Sequence, residues 1–226
     1  MSPRRHDPNI RLALIEAAAR LITEGGTAGL STRRLAAEAG TSTMAVYTYF
    51  GSMSELVREI VHDGFARLDH TFRLVEPTDD PVADMALLGR AYRYNALTNR
   101  DMFGVMFGGS SLAGFALTDE DRQYGRYTLS SVIKCATRCI ESGRFRHDDA
   151  GIMAHQMWLA VHGTVTLEIG GYLAAPYDAD RCFESQITAL MIGVGDQPDL
   201  TNKSVAISLE RFRIVFGSPD GQHGTG

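Results

Sequence analysis

Twenty residues, STRRLAAEAGTSTMAVYTYF from Ser31 to Phe50, gather hydroxyl and guanidinium groups among small apolar side chains. The chemistry they suit is binding. Ser31 and Ser42 can cap helix amides, and a helix opened at Ser42 would project Thr43, Met44 and Ala45 near its N-terminus, where a helix lying in a major groove presents base-reading residues. Tyr47, Thr48 and Tyr49 carry hydroxyls able to reach phosphate oxygens. Catalytic chemistry has little to draw on elsewhere. Gly109-Ser110-Ser111-Leu112-Ala113 lacks the second glycine of a nucleophile elbow, and no P-loop, dinucleotide fingerprint or His-Glu-x-x-His run occurs. Neither an enzyme activity nor a cofactor is expected. His155, His162 and Glu168 could be drawn as metal ligands, but the seven-residue step between the histidines is long for one ligand set. Cys135 and Cys139, at i and i+4, have no third ligand nearby and read as small buried residues of a helix.

The elements needed to position this stretch are short. Leu35, Ala36 and Ala39 give a first helix one apolar face, Gly40 supplies the positive-φ stop, and a second helix runs on through Tyr49. Ala36 and Ala39 leave room for Val46. Such a pair is a helix-turn-helix, although the pattern fits an αα-hairpin inside a helical core equally well. Ile10, Leu14, Ala18, Leu21 and Ile22 form the stripe of a preceding helix that stops at Gly25-Gly26. From Ser52 to about Val75, Leu56, Ile60, Phe65, Leu68 and Phe72 mark a helix about 33 Å long, broken by Pro77 and Pro81.

The remainder also reads as helix. Pro81 opens a segment to about Thr98 with Met85, Leu88 and Tyr92 inward, and Asp101 opens a short one to Phe107. A glycine-rich connection from Gly108 to Gly114 follows. Long helices are expected from Asp119 to Ser142, from Asp148 to about Gly170 and from Ala179 to Ile192. Asp196 to Lys203 reads as a loop, Val205 onward as a last helix or capping segment, and Gly217 onward as a disordered tail. Phe103, Met106, Phe107, Leu112 and Phe115 cluster with few charges, which suits a plain core or an apolar ligand pocket.

A chain of 226 residues with 44% hydrophobic and 22% charged residues is ordinary for a globular protein, and no apolar run is long enough to span a bilayer. The net charge of −5 argues against a generally basic nucleic-acid binder. Its distribution is uneven. Residues 1–50 hold six arginines against four acidic residues, a balance of +2, leaving −7 for the rest. Three cysteines without a secretion signal fit reduced thiols and a cytoplasmic protein.

Gly25-Gly26, Leu30 to Ala36, Ala39-Gly40, Val46 to Phe50 and Glu55-Leu56 resemble, in identity and spacing, the N-terminal DNA-binding domain of TetR-type transcriptional regulators. Trp158-x-x-x-His162-Gly163 is similar to the Trp-His-Gly signature of one C-terminal subclass of that family. One departure is Met53, where the family usually carries Lys; the amides near Ser52 are then left as the anion partner. The resemblance implies an all-α protein. A three-helix DNA-binding domain (1–52) would be joined by a long helix to a helical ligand-binding and dimerisation domain (53–217), with a tail at 218–226.

It also implies roles. Thr43, Met44 and Ala45 would read bases, Arg33, Arg34, Tyr47 and Tyr49 would anchor phosphates, and Ser31, Thr32, Ser42, Thr48 and Ser52 would complete the contact with a double-stranded operator. A small, hydrophobic effector would be lined by Met85, Leu88, Tyr92, Met102, Phe103, Met106, Phe107, Leu112, Phe115, Met157 and Trp158. Two helices would pair with their copies in a homodimer, through His155, Trp158, Leu159, His162, Gly163 and Thr166 on one and Ile187, Leu190 and Met191 on the other. The expected function is a ligand-responsive repressor on an inverted-repeat operator.

Overall fold

The computed structural model describes residues 7–107, 115 and 117–217, and among them every regular element is helical. The helices are α1 (Pro8–Gly25), α2 (Thr32–Glu38), α3 (Thr43–Phe50), α4 (Met53–Arg73), α5 (Pro81–Thr98), α6 (Arg100–Phe107), α7 (Asp119–Glu141), α8 (Ala150–Ile169), α9 (Ala179–Gly193) and α10 (Pro198–Phe216). A 3-10 turn at Thr27–Gly29 follows α1. The expected connection at Gly108 to Gly114 and the tail at 218–226 lie outside the described residues.

The chain forms two compact units, Met1–Arg67 with Asn99–Gly125, and Leu68–Thr98 with Arg126–Gly226. The first unit therefore reaches beyond the boundary expected at residue 52. It does so because α6 packs on α1, where the Thr23 hydroxyl donates to the Asp101 carbonyl at 3.3 Å, and on α4 at Gly64. A β-carbon on Gly64 would lie 2.4 Å from the Met106 sulfur, so the missing side chain is what admits α6. Leu14, Ile15, Ala18, Leu35, Val46, Leu56, Val57 and Ile60 make the core of this unit, all essentially buried.

Hydroxyl and carboxylate caps start the helices. Asp7 accepts from the Asn9 amide at 2.9 Å, Ser31 from Arg34 at 3.3 Å, Ser42 from Ala45 at 3.2 Å and Ser52 from Glu55 at 3.1 Å. Each satisfies an amide that a helix N-terminus otherwise leaves without a partner. In α7 the cap is reciprocal. The Thr118 hydroxyl accepts from the Asp121 amide, while the buried Asp121 carboxylate accepts from the Thr118 amide and hydroxyl at 2.7 and 2.8 Å.

The second unit is built on α5, most of whose residues are buried, with α8 and α10 packed along it. Its buried charges are paired. Asp84 accepts from Arg138 at 2.8 Å, from Arg211 at 2.6 Å and from the Thr78 amide at 2.8 Å; Arg144 forks onto Asp196 at 2.6 and 2.8 Å. The loop expected over Asp196 to Lys203 is short, because α10 already begins at Pro198, a residue suited to a first helical position. The inward face of that turn carries hydroxyls rather than hydrocarbon. Thr201 and Ser204 are fully buried, donating to Asp196 at 2.6 Å and to Asp80 at 2.7 Å.

Candidate nucleic-acid interface

The α2–α3 pair closes through a tight turn. Gly40 has φ 61°, a left-handed conformation that side chains rarely adopt, and the Thr41 amide returns to the Ala36 carbonyl at 2.8 Å. With only a methyl at Ala36, Val46 can drop against α2, and both are buried. The turn thereby presents α3 edge-on. Val46 and Phe50 face inward, whereas Ser42, Thr43, Met44, Tyr47 and Thr48 are exposed, Met44 by 71% and Tyr47 by 52%.

The predicted contact residues separate into outward and inward groups. Arg33 is exposed, Arg34 is exposed and 3.5 Å from Glu24, and both lie in the first turn of α2. Thr32 and Tyr47 share a hydrogen bond of 3.3 Å that braces the tyrosine ring across the two helices. Tyr49, expected to anchor phosphate, is engaged inside the protein: its hydroxyl accepts from the Asp7 amide at 2.8 Å and donates to the Asp7 carbonyl at 3.2 Å. Its role here is to fasten the start of α1 to α3. The sequence offered no signal for this pairing, because the partners are 42 residues apart and one of them is backbone.

Behind the reading pair, α4 and α7 are joined by a second polar cluster of the same unit. Arg58 reaches both Asp121 oxygens at 3.2 Å, His62 bonds one of them at 2.9 Å, and the His62 and Tyr124 rings stack at 4.1 Å. Burial alone would raise the Asp121 carboxyl, but the hydrogen bonds from Thr118, His62 and Arg58 outweigh it and hold the group down at about 2. Sequence reading missed this cluster, whose members come from two helices with no shared motif.

The predicted effector residues fall in both units. In the first, Met102, Phe103 and Met106 are buried, Phe107 and Phe115 are half-buried, and Phe107 meets Phe65 edge-on at 5.7 Å. In the second, Met85, Leu88, Tyr92 and Met157 are buried and Trp158 is half-buried. Leu112 lies outside the described residues. Tyr92 spends its hydroxyl on His162 Nδ1 at 2.8 Å and is also bonded by Trp158. Burial pushes the Tyr92 phenol up and the His162 imidazole down, so both are neutral near pH 7. Glu168, drawable from sequence as a metal ligand, forks onto Arg93 with both bonds at 2.7 Å.

Of the predicted dimer residues, Leu159 is 61% exposed, His155, Gly163 and Thr166 are exposed, and Trp158, His162 and Leu190 are half-buried. Ile187 and Met191 are corrections. Both are 2% exposed and form the core behind α9, because the Phe183-Ile187-Met191 stripe turns toward the protomer interior. The exposed face instead includes Ile152, Leu167 and Ala189, which the sequence reading left out. A shallow groove between α8 and α9 is lined by Gln156, Leu159, Ala160, Ala189, Leu190 and Gly193, among others. No described helix is long and apolar enough to cross a membrane.

Two short capped helices with a glycine turn and an exposed second helix, set at the head of an otherwise helical chain, define the helix-turn-helix class of DNA-binding proteins. Residues 14–60 match the sequence model described as "Bacterial regulatory proteins, tetR family", and residues 85–190 match "Tetracyclin repressor-like, C-terminal domain". The chain belongs to the TetR family of transcriptional regulators. It is 32% identical over 104 residues to the HTH-type transcriptional regulator Rv1816 of Mycobacterium tuberculosis, a match spanning 44% of each chain. Among solved structures it is similar to a protein of unknown function from Rhodococcus sp. RHA1, with 28% identity, a TM-score of 0.69, and 87% and 100% of the two chains covered. The TetR family transcriptional regulator PfmR from Thermus thermophilus shares the fold at 21% identity and a TM-score of 0.66, over 79% and 97% of the chains.

Proposed function

We propose that the protein is a homodimeric, effector-released repressor that binds an inverted-repeat operator through α3. The observation that carries this reading is the exposed face of α3, with Met44 and Tyr47 presented to solvent on a capped helix beside Arg33 and Arg34. Two copies related by a two-fold axis would place their α3 helices in successive major grooves about 34 Å apart. The exposed face of α8 and α9 is suited to the pairing. Gly163 carries no side chain there and a β-carbon would meet nothing within 4 Å, so a second helix could approach closely.

For the effector, the residues around α6 are the favoured set. They touch α4 directly, since Met106 and Met102 lie against Gly64 and Phe107 against Phe65. An apolar molecule wedged among Phe103, Met106 and Phe107 would displace α4, and with it the helix pair it supports. An effector that prefers the displaced state by about 2 to 3 kcal/mol per dimer would lower operator affinity roughly 30- to 150-fold.

The test is selection of bound duplexes from a random pool, followed by titration of acyl and aromatic compounds into the selected complex. The expected result is an inverted repeat whose half-sites are one helical turn apart, released by at least one compound class. Selection of unrelated sequences would overturn the operator reading, and a full panel without effect on affinity would overturn the effector reading.

A further inference from the structure

The reading helix carries no formal charge and no amide side chain. From Thr43 to Phe50 it runs Thr, Met, Ala, Val, Tyr, Thr, Tyr, Phe. None of the side chains that pair bidentately with guanine or adenine is present on it, nor is a carboxylate to accept from the cytosine amino group. Residues three and four apart are neighbours on a helix, so Thr43 with Tyr47, Tyr47 with Met44 and Met44 with Thr48 link into one exposed strip beside buried Val46 and Phe50.

That face is poorer in hydrogen-bonding groups than its sequence suggests. The Thr48 hydroxyl commits its only proton to the Met44 carbonyl at 2.8 Å, so toward a base this exposed side chain has an accepting oxygen and its γ-methyl. The Tyr47 hydroxyl is partly engaged by Thr32 at 3.3 Å, and the half-exposed ring is the larger part of its contact surface. The Ser42 oxygen accepts the Ala45 amide as a cap. What α3 offers is chiefly a thioether chain, an aromatic ring and a methyl group, with the hydroxyl of Thr43 and the partly engaged oxygens of Tyr47 and Thr48. In the major groove the matching feature is the thymine C5-methyl, the one apolar group that base edges present there.

We propose that this chain selects its operator chiefly through thymine methyl groups, packed against Met44, the Tyr47 ring and the Thr48 methyl, with Thr43 making the direct hydrogen bond to a base. The inference rests on α3 being the DNA-reading helix. Methyl burial releases no counterions, so the ratio of cognate to random affinity stays nearly constant as salt rises while both affinities fall.

The experiment uses the full chain and a selected duplex in which each thymine of a half-site is replaced, one at a time, by uracil, which pairs identically but lacks the methyl. At the thymines facing α3, uracil weakens binding about four-fold each, the factor expected for burying one methyl-sized group. In Met44→Ala, at a side chain too exposed to matter for folding, at least one of those losses disappears. Restoring a methyl as 5-methylcytosine at a cytosine-substituted position recovers part of the affinity. Normal operator binding with no uracil effect anywhere would overturn methyl readout and leave the DNA-reading role of α3 standing. Failure to bind any duplex would overturn both.

Discussion

The outward faces of α3 and α8 are both short of charge and both expose large apolar side chains, Met44 and Tyr47 on one, Ile152, Leu159 and Leu167 on the other. They differ chiefly in width. The α3 face is one helix wide, belongs to an eight-residue helix and has Arg33 and Arg34 beside it, a shape suited to a groove walled by phosphate. On α8 the Thr166 hydroxyl turns back to the His162 carbonyl at 2.8 Å, His155 bonds the Gly151 carbonyl at 2.7 Å, and the neighbouring α9 adds Ala189, Leu190 and Gly193. This broader, largely apolar face suits another protein surface. Exposed hydrocarbon thus points to different partners according to the width of the face that carries it.

The largest effect is expected from Leu159→Glu. A carboxylate placed in the centre of the α8 face should leave the protomer folded, dissociate the dimer and lower operator affinity on the order of 10²- to 10³-fold, as an unpaired charge in a desolvated interface does. Sedimentation equilibrium reads the first effect and a binding titration the second. A variant that stays dimeric would move the interface elsewhere.

Acid should affect the supports of both faces in the same pH range. Asp121 in the first unit, at about 2, and Asp84 and Asp196 in the second all have carboxyls held below their ordinary value by hydrogen bonds and ion pairs that outweigh burial. Their folded values lie below the unfolded ones, so their contribution is complete above about pH 4 and is lost as pH falls toward 2. Urea midpoints measured from pH 6 downward should be level at first and then drop steeply. A decline centred near pH 6 would instead implicate histidines.

A smaller effect is expected from Tyr92→Phe. Removing the hydroxyl takes away the bond to half-buried His162 and the one from Trp158, at a cost of about 1 kcal/mol in protomer stability. Because His162 and Gly163 adjoin on α8, weaker dimerisation should accompany it; unchanged dimerisation would separate the triad from the face. The smallest change is Arg33→Ala, which should weaken cognate and random DNA alike by a few-fold and reduce the salt slope by about 0.9. A loss confined to the cognate sequence would make Arg33 a base reader.

Legibility in the sequence followed chemistry. Ser31, Gly40 and Ser42 announced the helix pair because a cap and a positive-φ turn each have few possible residues, and the boundaries of α5 and α7 were readable for the same reason. The start of α10 was hidden because its inward turn is held by Thr201 and Ser204 hydroxyls, which in sequence look like a loop. On α8, hydrocarbon lies on both sides, with Met153, Met157, Val161 and Val165 inward and Leu159 outward. That is the mark of a helix covered twice, yet periodicity could not say which side faces the core, and on α9 it led to Ile187 and Met191 being placed outside. Tyr49 and the Arg58–Asp121–His62 cluster were invisible because their partners are distant in the chain.

Hydroxyl-radical footprinting of the selected duplex, with protein stoichiometry measured on the same complex, shows whether two α3 helices grip one face of DNA. Two protected patches on one side of the helix, their centres about 34 Å apart, with two chains bound, are the result expected of paired α3 helices. A single patch occupied by one chain, or a stable dimer that protects no duplex, would contradict it.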